Sequence, residues 1–199
     1  MTIRAGKKLA FYKYRNMAKF EYIADILNNN RLYCANVFKL NDPMEGMHLP
    51  YKEEQSEISP IYNIDDNTRI CSFSAKINSI LLWVHYADMF RGIAIEFVPL
   101  QKLVKVKYQK ELFRYPGRAV PKKYLYATKL NIWKYEKEYR YITFDNDEYI
   151  YGKIESIILG HKVNKEFEKL VKDICKVKGI KVYKTSINYK LNIVEREEI

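Results

Sequence analysis

The stretch RICSFSAKINSILLWVHYADMFRGIAIEF, residues 69–97, decides the fold class. Residues 69–74 read as a buried-type strand. Asn78 or Ser79 can cap a helix that runs to about Met89, with Gly92 near its C-cap. Residues 93–97 then alternate, with Ile93, Ile95 and Phe97 on one face and Ala94 and Glu96 on the other, which is the two-residue period of a strand. Strand, helix and strand follow one another within one short segment, and the rest of the chain either repeats that order regularly or does not.

It does not. Upstream, residues 9–14 form a first strand, and Asn16 caps a helix over about 19–28 whose apolar face is Phe20, Ile23, Ile26 and Leu27. Asn28-Asn29-Asn30 stops that helix, 32–35 make a short strand, Asn41-Asp42-Pro43 is a turn, and 46–68 read as a long surface loop. Downstream, 103–108 form a strand, Tyr115-Pro116-Gly117 turns the chain, and Pro121 opens a helix to about Leu130. Residues 139–144 form a strand closed by a hairpin turn at Asp145-Asn146-Asp147, and 154–159 form another. Asn164 caps the clearest helix, with the stripe Phe167, Leu170, Val171, Ile174 and Val177 and its end at Gly179; strands over 182–186 and 189–194 close the protein. Elements mixed in this way predict a single α+β domain over 1–199, with mixed or antiparallel sheets and flanking helices. The chemistry-bearing motifs fall in 9–160, and 161–199 supply a C-terminal helix and strands.

Composition narrows the class. The 199 residues include 35 basic and 24 acidic ones, a formal net charge of +11, and 18 tyrosines against two tryptophans. A field of that sign attracts polyanions or a phosphate-bearing cofactor. The charge reads as dispersed, because no run of five or more basic residues occurs. Cys34, Cys71 and Cys175 are far apart and odd in number, which argues against a disulfide framework or a zinc site and for a reducing compartment. Cys34 and Cys175 lie in apolar stretches and are expected in the core. No apolar run approaches the ~20 residues that span a bilayer. A cytoplasmic protein without a membrane segment is the expectation.

Four clusters carry the polar chemistry. Tyr12-Lys13-Tyr14-Arg15 ends the first strand, so Lys13 and Arg15 point to one side and Tyr12 and Tyr14 to the other; the two cations suit a phosphate. Asn41-Asp42-Pro43-Met44-Glu45-Gly46 is explained by turn chemistry, with substrate contact as the alternative. Cys71-Ser72-Phe73-Ser74 is followed by Leu82-Trp83-Val84-His85-Tyr86 on a helix with a packing side and a polar side. Trp133-Lys134-Tyr135-Glu136-Lys137-Glu138-Tyr139-Arg140, taken as a strand, puts Glu136, Glu138 and Arg140 on one face, either as an ion-pair ladder or with one carboxylate held ionised by Arg140 while it faces a sugar. No metal-ligand spacing, dinucleotide fingerprint or P-loop occurs; a carboxylate magnesium site from Asp42, Glu45, Glu96 and Glu138 would serve a nuclease.

In this order the four clusters resemble a prokaryotic family catalogued as domain of unknown function 2971, a name that implies no activity. More distantly, the Tyr-x-Tyr first strand and the Asn-Asp-Pro-x-Glu turn resemble NAD-dependent ADP-ribosyltransferases that modify DNA. The resemblance implies NAD as substrate, a nucleic-acid acceptor and a role as a toxin or in antiviral defence. It places Lys13 or Tyr14 with Arg15 at the first motif, Ser72, Ser74 and Tyr86 at the second, and Glu138 at the third, with Glu136 as rival. Glu138 would stabilise the oxocarbenium character that builds as the nicotinamide–ribose bond breaks. Lys13, Arg15 and Arg140 would hold the cofactor's charged groups, and Trp83 or Tyr86 would stack on nicotinamide. A metal-dependent nuclease and a non-catalytic nucleic-acid-binding or regulatory module are the alternatives.

Overall fold

The computed structural model describes residues 9–50, 67–115 and 120–199. Along the chain it forms β1 (Phe11–Arg15), α1 (Phe20–Asn29), β2 (Arg31–Tyr33), β3 (Ala35–Asn36), β4 (His48–Pro50), β5 (Arg69–Ser74), α2 (Ile80–Tyr86), β6 (Ile93–Pro99), β7 (Val104–Lys105), β8 (Lys107–Gln109) and β9 (Phe113–Tyr115). There follow α3 (Lys122–Leu125), β10 (Thr128–Leu130), β11 (Glu138–Thr143), β12 (Tyr149–Leu159), α4 (Lys165–Lys178), β13 (Lys181–Asn188) and β14 (Ile193–Glu198), with short 3-10 turns over Val37–Lys39 and Asn131–Glu136. Among the described residues strands outweigh helices and no barrel forms, so a mixed, sheet-dominant α and β architecture is what they adopt. Its packing falls into two compact units, one of residues 9–31, 74–100 and 151–199, the other of 32–50, 67–73, 101–115 and 120–150. Neither unit is a contiguous segment, which explains why no linker marks them in the sequence.

The first unit is built on strands in the order β14-β13-β12-β6-β1. All neighbours are antiparallel except β12 and β13, which run parallel because α4 carries the chain back between them. The central strand β6 buries Ile93, Ala94, Ile95 and Phe97, so both its faces are covered and Glu96 is its one charged side chain. Helix α4 starts where Asn164 accepts a hydrogen bond from the Glu166 N–H at 2.7 Å, and stops at Gly179, whose φ of 66° is left-handed. Its buried residues are Val171 and Cys175, while Val177 is 88% exposed. The inward stripe is therefore rotated from the expected one, onto a line that includes the cysteine.

Two helix signals differ from expectation. Asn16 caps a local turn, taking the Ala18 N–H at 3.4 Å, and α1 starts at Phe20 with no side-chain cap. Helix α2 ends at Tyr86, before Met89, and the chain then takes three left-handed residues, Asp88, Met89 and Phe90. Phe90 is held there by stacking on Trp83 at 5.4 Å and by the His161 ring at 4.6 Å. Gly92 is therefore no C-cap. A Cβ there would lie 2.2 Å from the Arg15 carbonyl, and Gly160, whose N–H donates to the Gly92 carbonyl at 2.9 Å, has a Cβ position 2.0 Å from the Phe90 carbonyl.

The second unit has β11 between β5 and β7, with β3 on the other side of β5. β8 and β10 pair in parallel, as do β4 and β9. Val37, Ile70 and Tyr126 form one buried cluster, with Leu40 and Ile142 against it. The expected helix from Pro121 to Leu130 is one turn long, because Ala127 leaves it to hand the chain to β10. The expected strand 103–108 is split between β7 and β8. The turn at Asp145-Asn146-Asp147 is not a hairpin, since the partners of β11 are β5 and β7. Tyr115-Pro116-Gly117 and most of the 46–68 loop lie outside the described residues.

Candidate functional site

Arg140, on β11, is 1% exposed and each of its five N–H groups has an acceptor. Nη1 and Nη2 grip Glu45 at 2.5 and 2.8 Å, Nε and Nη2 reach Glu138 at 2.8 and 3.1 Å, and Nη1 also donates to the Tyr126 carbonyl at 2.8 Å. The two-residue period of β11 is what brings Glu138 alongside Arg140. Lys129, from β10, adds a second buried cation, 2.7 Å from Glu136 and 3.1 Å from Glu138, with its ammonium 4.7 Å from the centre of the Trp133 ring. Three carboxylates thus share two cations inside the second unit.

Their protonation follows from that sharing. Burial opposes ionisation of Glu138, but Arg140 and Lys129 together, with hydrogen bonds from Arg140 and the Ser72 hydroxyl, outweigh it and draw its pKa down to about 2. Burial dominates at Glu45, which has one shared cation, and lifts it above the ordinary carboxylate range despite Arg140. Lys129 loses solvation by burial, yet Glu138 and Glu136 raise its pKa overall. The Glu138 backbone N–H donates to the Tyr108 hydroxyl at 2.8 Å, which fixes the strand at that point.

A second polar cluster lies in the first unit. A bulge in β12 at Glu155 sets Ser156 opposite Glu96, and Tyr12 is the register partner of Glu96 on the other side. Glu96 accepts from Ser156 Oγ at 2.5 Å, Tyr12 Oη at 3.1 Å and Arg196 Nη1 at 3.1 Å. Burial works against its ionisation, but those donors win and hold it below the usual carboxylate range. The Arg196 guanidinium lies 4.7 Å from the Tyr183 ring centre, and the cleft over this cluster has a volume of about 440 Å³.

The residues marked by sequence divide between the units. Lys13, Tyr14, Arg15, Ser74, Trp83 and Tyr86 belong to the first; Asn41, Asp42, Glu45, Ser72, Glu136, Glu138 and Arg140 belong to the second. Within the second, Ser72, Glu138, Arg140 and Glu45 meet in one network. Three expected cofactor contacts are corrected. Trp83 is fully buried, donates from Nε1 to the Ile77 carbonyl at 2.9 Å and packs edge-on to Tyr14, so it offers no face to a nicotinamide. The buried Tyr14 donates its hydroxyl to the Lys76 carbonyl at 2.8 Å, which is a packing role. Arg140 has no donor left for a phosphate. Ser74 caps a turn by accepting the Lys76 N–H at 3.0 Å. Asp42 does the same for Met44 N–H at 3.0 Å, as its turn chemistry predicts.

Glu136 is not on the strand face with Glu138 and Arg140. It ends the 3-10 turn, Lys137 takes a left-handed φ of 46°, and β11 begins only at Glu138; Glu136 is buried against Lys129 instead. The four-carboxylate magnesium set also fails to assemble: Glu45 and Glu138 are both committed to Arg140, Glu96 sits in the other unit, and no cluster of metal-binding residues occurs among the described residues.

The dispersed charge is a further correction. Residues 101–137 hold eleven basic and two acidic residues, a net +9 of the chain's +11. Of those two acids, Glu136 is buried with Lys129 and Glu111 pairs with Arg114 at 3.5 Å. Lys102, Lys105, Lys107, Lys110, Lys123, Lys134 and Lys137 are exposed and make no ion pair among the described residues. The signal was present as a window count, but the lysines alternate with apolar and aromatic residues, so a search for unbroken basic runs passes over it. Lys129 was missed because it meets the glutamates only through the β8–β10 pairing and the 3-10 turn packed on it.

No helix among the described residues is long and apolar enough to cross a membrane. In comparisons with known proteins, no family model, no curated protein and no solved structure matches this chain.

Proposed function

We propose that this chain binds nucleic acid through the lysine-rich lobe of its second unit, residues 102–115 and 120–137. The observation that carries this is the charge segregation: nearly all of the net positive charge lies in residues 101–137, and seven of the eleven basic residues there are exposed lysines that make no ion pair among the described residues. Charge kept only for solubility has no reason to concentrate, whereas a phosphate backbone is attracted by local density of cations and releases counterions on contact. The buried Glu136–Lys129 pair serves the same end, since it keeps a carboxylate off the lobe's surface.

Titration of a fluorescent oligonucleotide by anisotropy tests it. The expected result is saturable binding whose logarithm falls linearly with the logarithm of salt, and a shallower slope after Lys134→Glu with Lys137→Glu. Binding that ignores this double charge reversal sinks the proposal.

One contact favours a second reading, an ADP-ribosyltransferase-like protein acting on NAD. Ser72 and Glu138, assigned to two different motifs by resemblance, are hydrogen-bonded to each other, and the carboxylate is ionised as the chemistry asks. Against it stand the burial of Glu138 and the loss of Trp83, Tyr14 and Arg140 as NAD contacts. The two readings nest, because a transferase acting on nucleic acid needs a surface that docks its acceptor. NAD titration of wild type, Arg15→Ala and Ser72→Ala separates them: absence of binding at millimolar NAD removes the transferase and leaves the docking lobe.

A further inference from the structure

We infer that the nucleic acid taken by this lobe is single-stranded, its bases covered by Tyr124 and Ile132 while the lysines hold its phosphates. The inference rests on the nucleic-acid reading above. Two local features place these side chains. Helix α3 is a single turn in which Leu125 is 3% exposed, and Tyr126, which caps its C-terminus, is fully buried. That inward commitment turns Tyr124 outward, 56% exposed, directly after Lys123.

The 3-10 turn Asn131–Glu136 is pinned from beneath by Lys129, which holds Glu136 at one end and lies against the Trp133 ring. With Trp133 and Glu136 facing Lys129, Ile132 is left 72% exposed, and Lys134 and Lys137, two and five residues on, are exposed as well. Trp133 and Tyr135, half-buried with rings 6.2 Å apart, widen the apolar surface there. The Trp133 Nε1 is buried without a hydrogen-bond partner among the described residues.

The form of nucleic acid follows from what each form exposes. A duplex presents phosphates outward and keeps its base faces stacked on one another, so exposed apolar side chains between lysines would stay in water when it docks. A single strand offers the flat face of every base, and stacking on an aromatic ring is sequence-tolerant. A lobe that sets a tyrosine and an isoleucine among its cations is complementary to the second.

The test compares a fluorescein-labelled thymidine 15-mer with a duplex of the same length, each titrated with the full chain at two salt concentrations. The single strand is expected to bind at least about tenfold more tightly, and Tyr124→Ala with Ile132→Ala to weaken it by about tenfold without changing the salt slope. Both side chains are exposed, and equal melting of the variant and wild type checks that the fold is kept. Equal affinity for both forms, or single-strand binding untouched by the double variant, overturns this inference while salt-dependent binding leaves the nucleic-acid reading intact. Binding to neither overturns both.

Discussion

Glu45 and Arg140, ninety-five positions apart in the chain, form a bidentate ion pair whose side chains are 5% and 1% exposed. One guanidinium thereby ties the turn after Asn41-Asp42-Pro43 to β11, and through Glu138 and Lys129 to β10. A buried ion pair of this kind is costly to break from one side, because the partner is left charged and dry. Arg140→Met should therefore destabilise the fold by about 3–5 kcal/mol, with Glu45 and Glu138 both stranded. Urea unfolding measures it, and a loss within experimental error of zero would mean the network is not formed in solution.

The same network predicts an acid limit. Glu138, drawn down to about 2 from an ordinary 4.5, binds a proton less readily folded than unfolded. Its contribution is present above about pH 4.5 and is lost as the pH falls towards 2. Glu45 is shifted the other way by its burial, so the cost of keeping its carboxylate charged is relieved as the pH falls. Stability should hold from neutrality to about pH 5 and then fall from about pH 4.5 towards pH 2. Thermal midpoints across that range check the shape; a steep loss already complete at pH 5 contradicts it.

Trp83 distinguishes packing from ligand stacking. As a fully buried ring stacked on Phe90, its replacement by alanine should cost about 3–5 kcal/mol. Trp83→Phe should recover much of that loss while forfeiting the hydrogen bond to the Ile77 carbonyl. Differential scanning calorimetry of the two variants gives the comparison, and similar melting of wild type and Trp83→Ala would return this residue to the list of ligand contacts.

Helix α4 offers the mildest perturbation. Asn164→Ala removes the acceptor for the Glu166 N–H and should cost about 1 kcal/mol. Gly179→Ala forces a side chain into the left-handed region and should cost a similar amount, about 1 kcal/mol, although nothing crowds that Cβ. Chemical denaturation of each variant is sufficient, and no loss in either would mean the helix ends elsewhere in solution.

What was legible in the sequence was what is written locally. The strand at Arg69–Ser74, the Asn164 cap and the Gly179 stop depend on neighbours in the chain, and the side-by-side placement of Glu138 and Arg140 needs only strand periodicity. The break at Lys137 was not legible, because the 3-10 turn before it has no periodic apolar pattern and is held by a lysine from another element. The partnership of Glu45 with Arg140 was out of reach for the same reason. In α4 the core place expected of Cys175 holds, while Val177, placed by apolar periodicity on the inward stripe, lies on the solvent side. The Glu96 cluster depends on a bulge at Glu155, which shifts register by one residue and leaves no mark in a two-residue pattern.

Gly92 and Gly160 touch through their backbones, and each is closed to any larger residue by a carbonyl oxygen. Carbonyls of a packed backbone cannot swing aside as a side chain can. In a saturation library of this gene, these two columns should stay empty of everything but glycine, while Gly179 tolerates asparagine. A pair of positions sixty-eight residues apart would then drop out together, reporting on the spacing of two chain segments without any structure being solved.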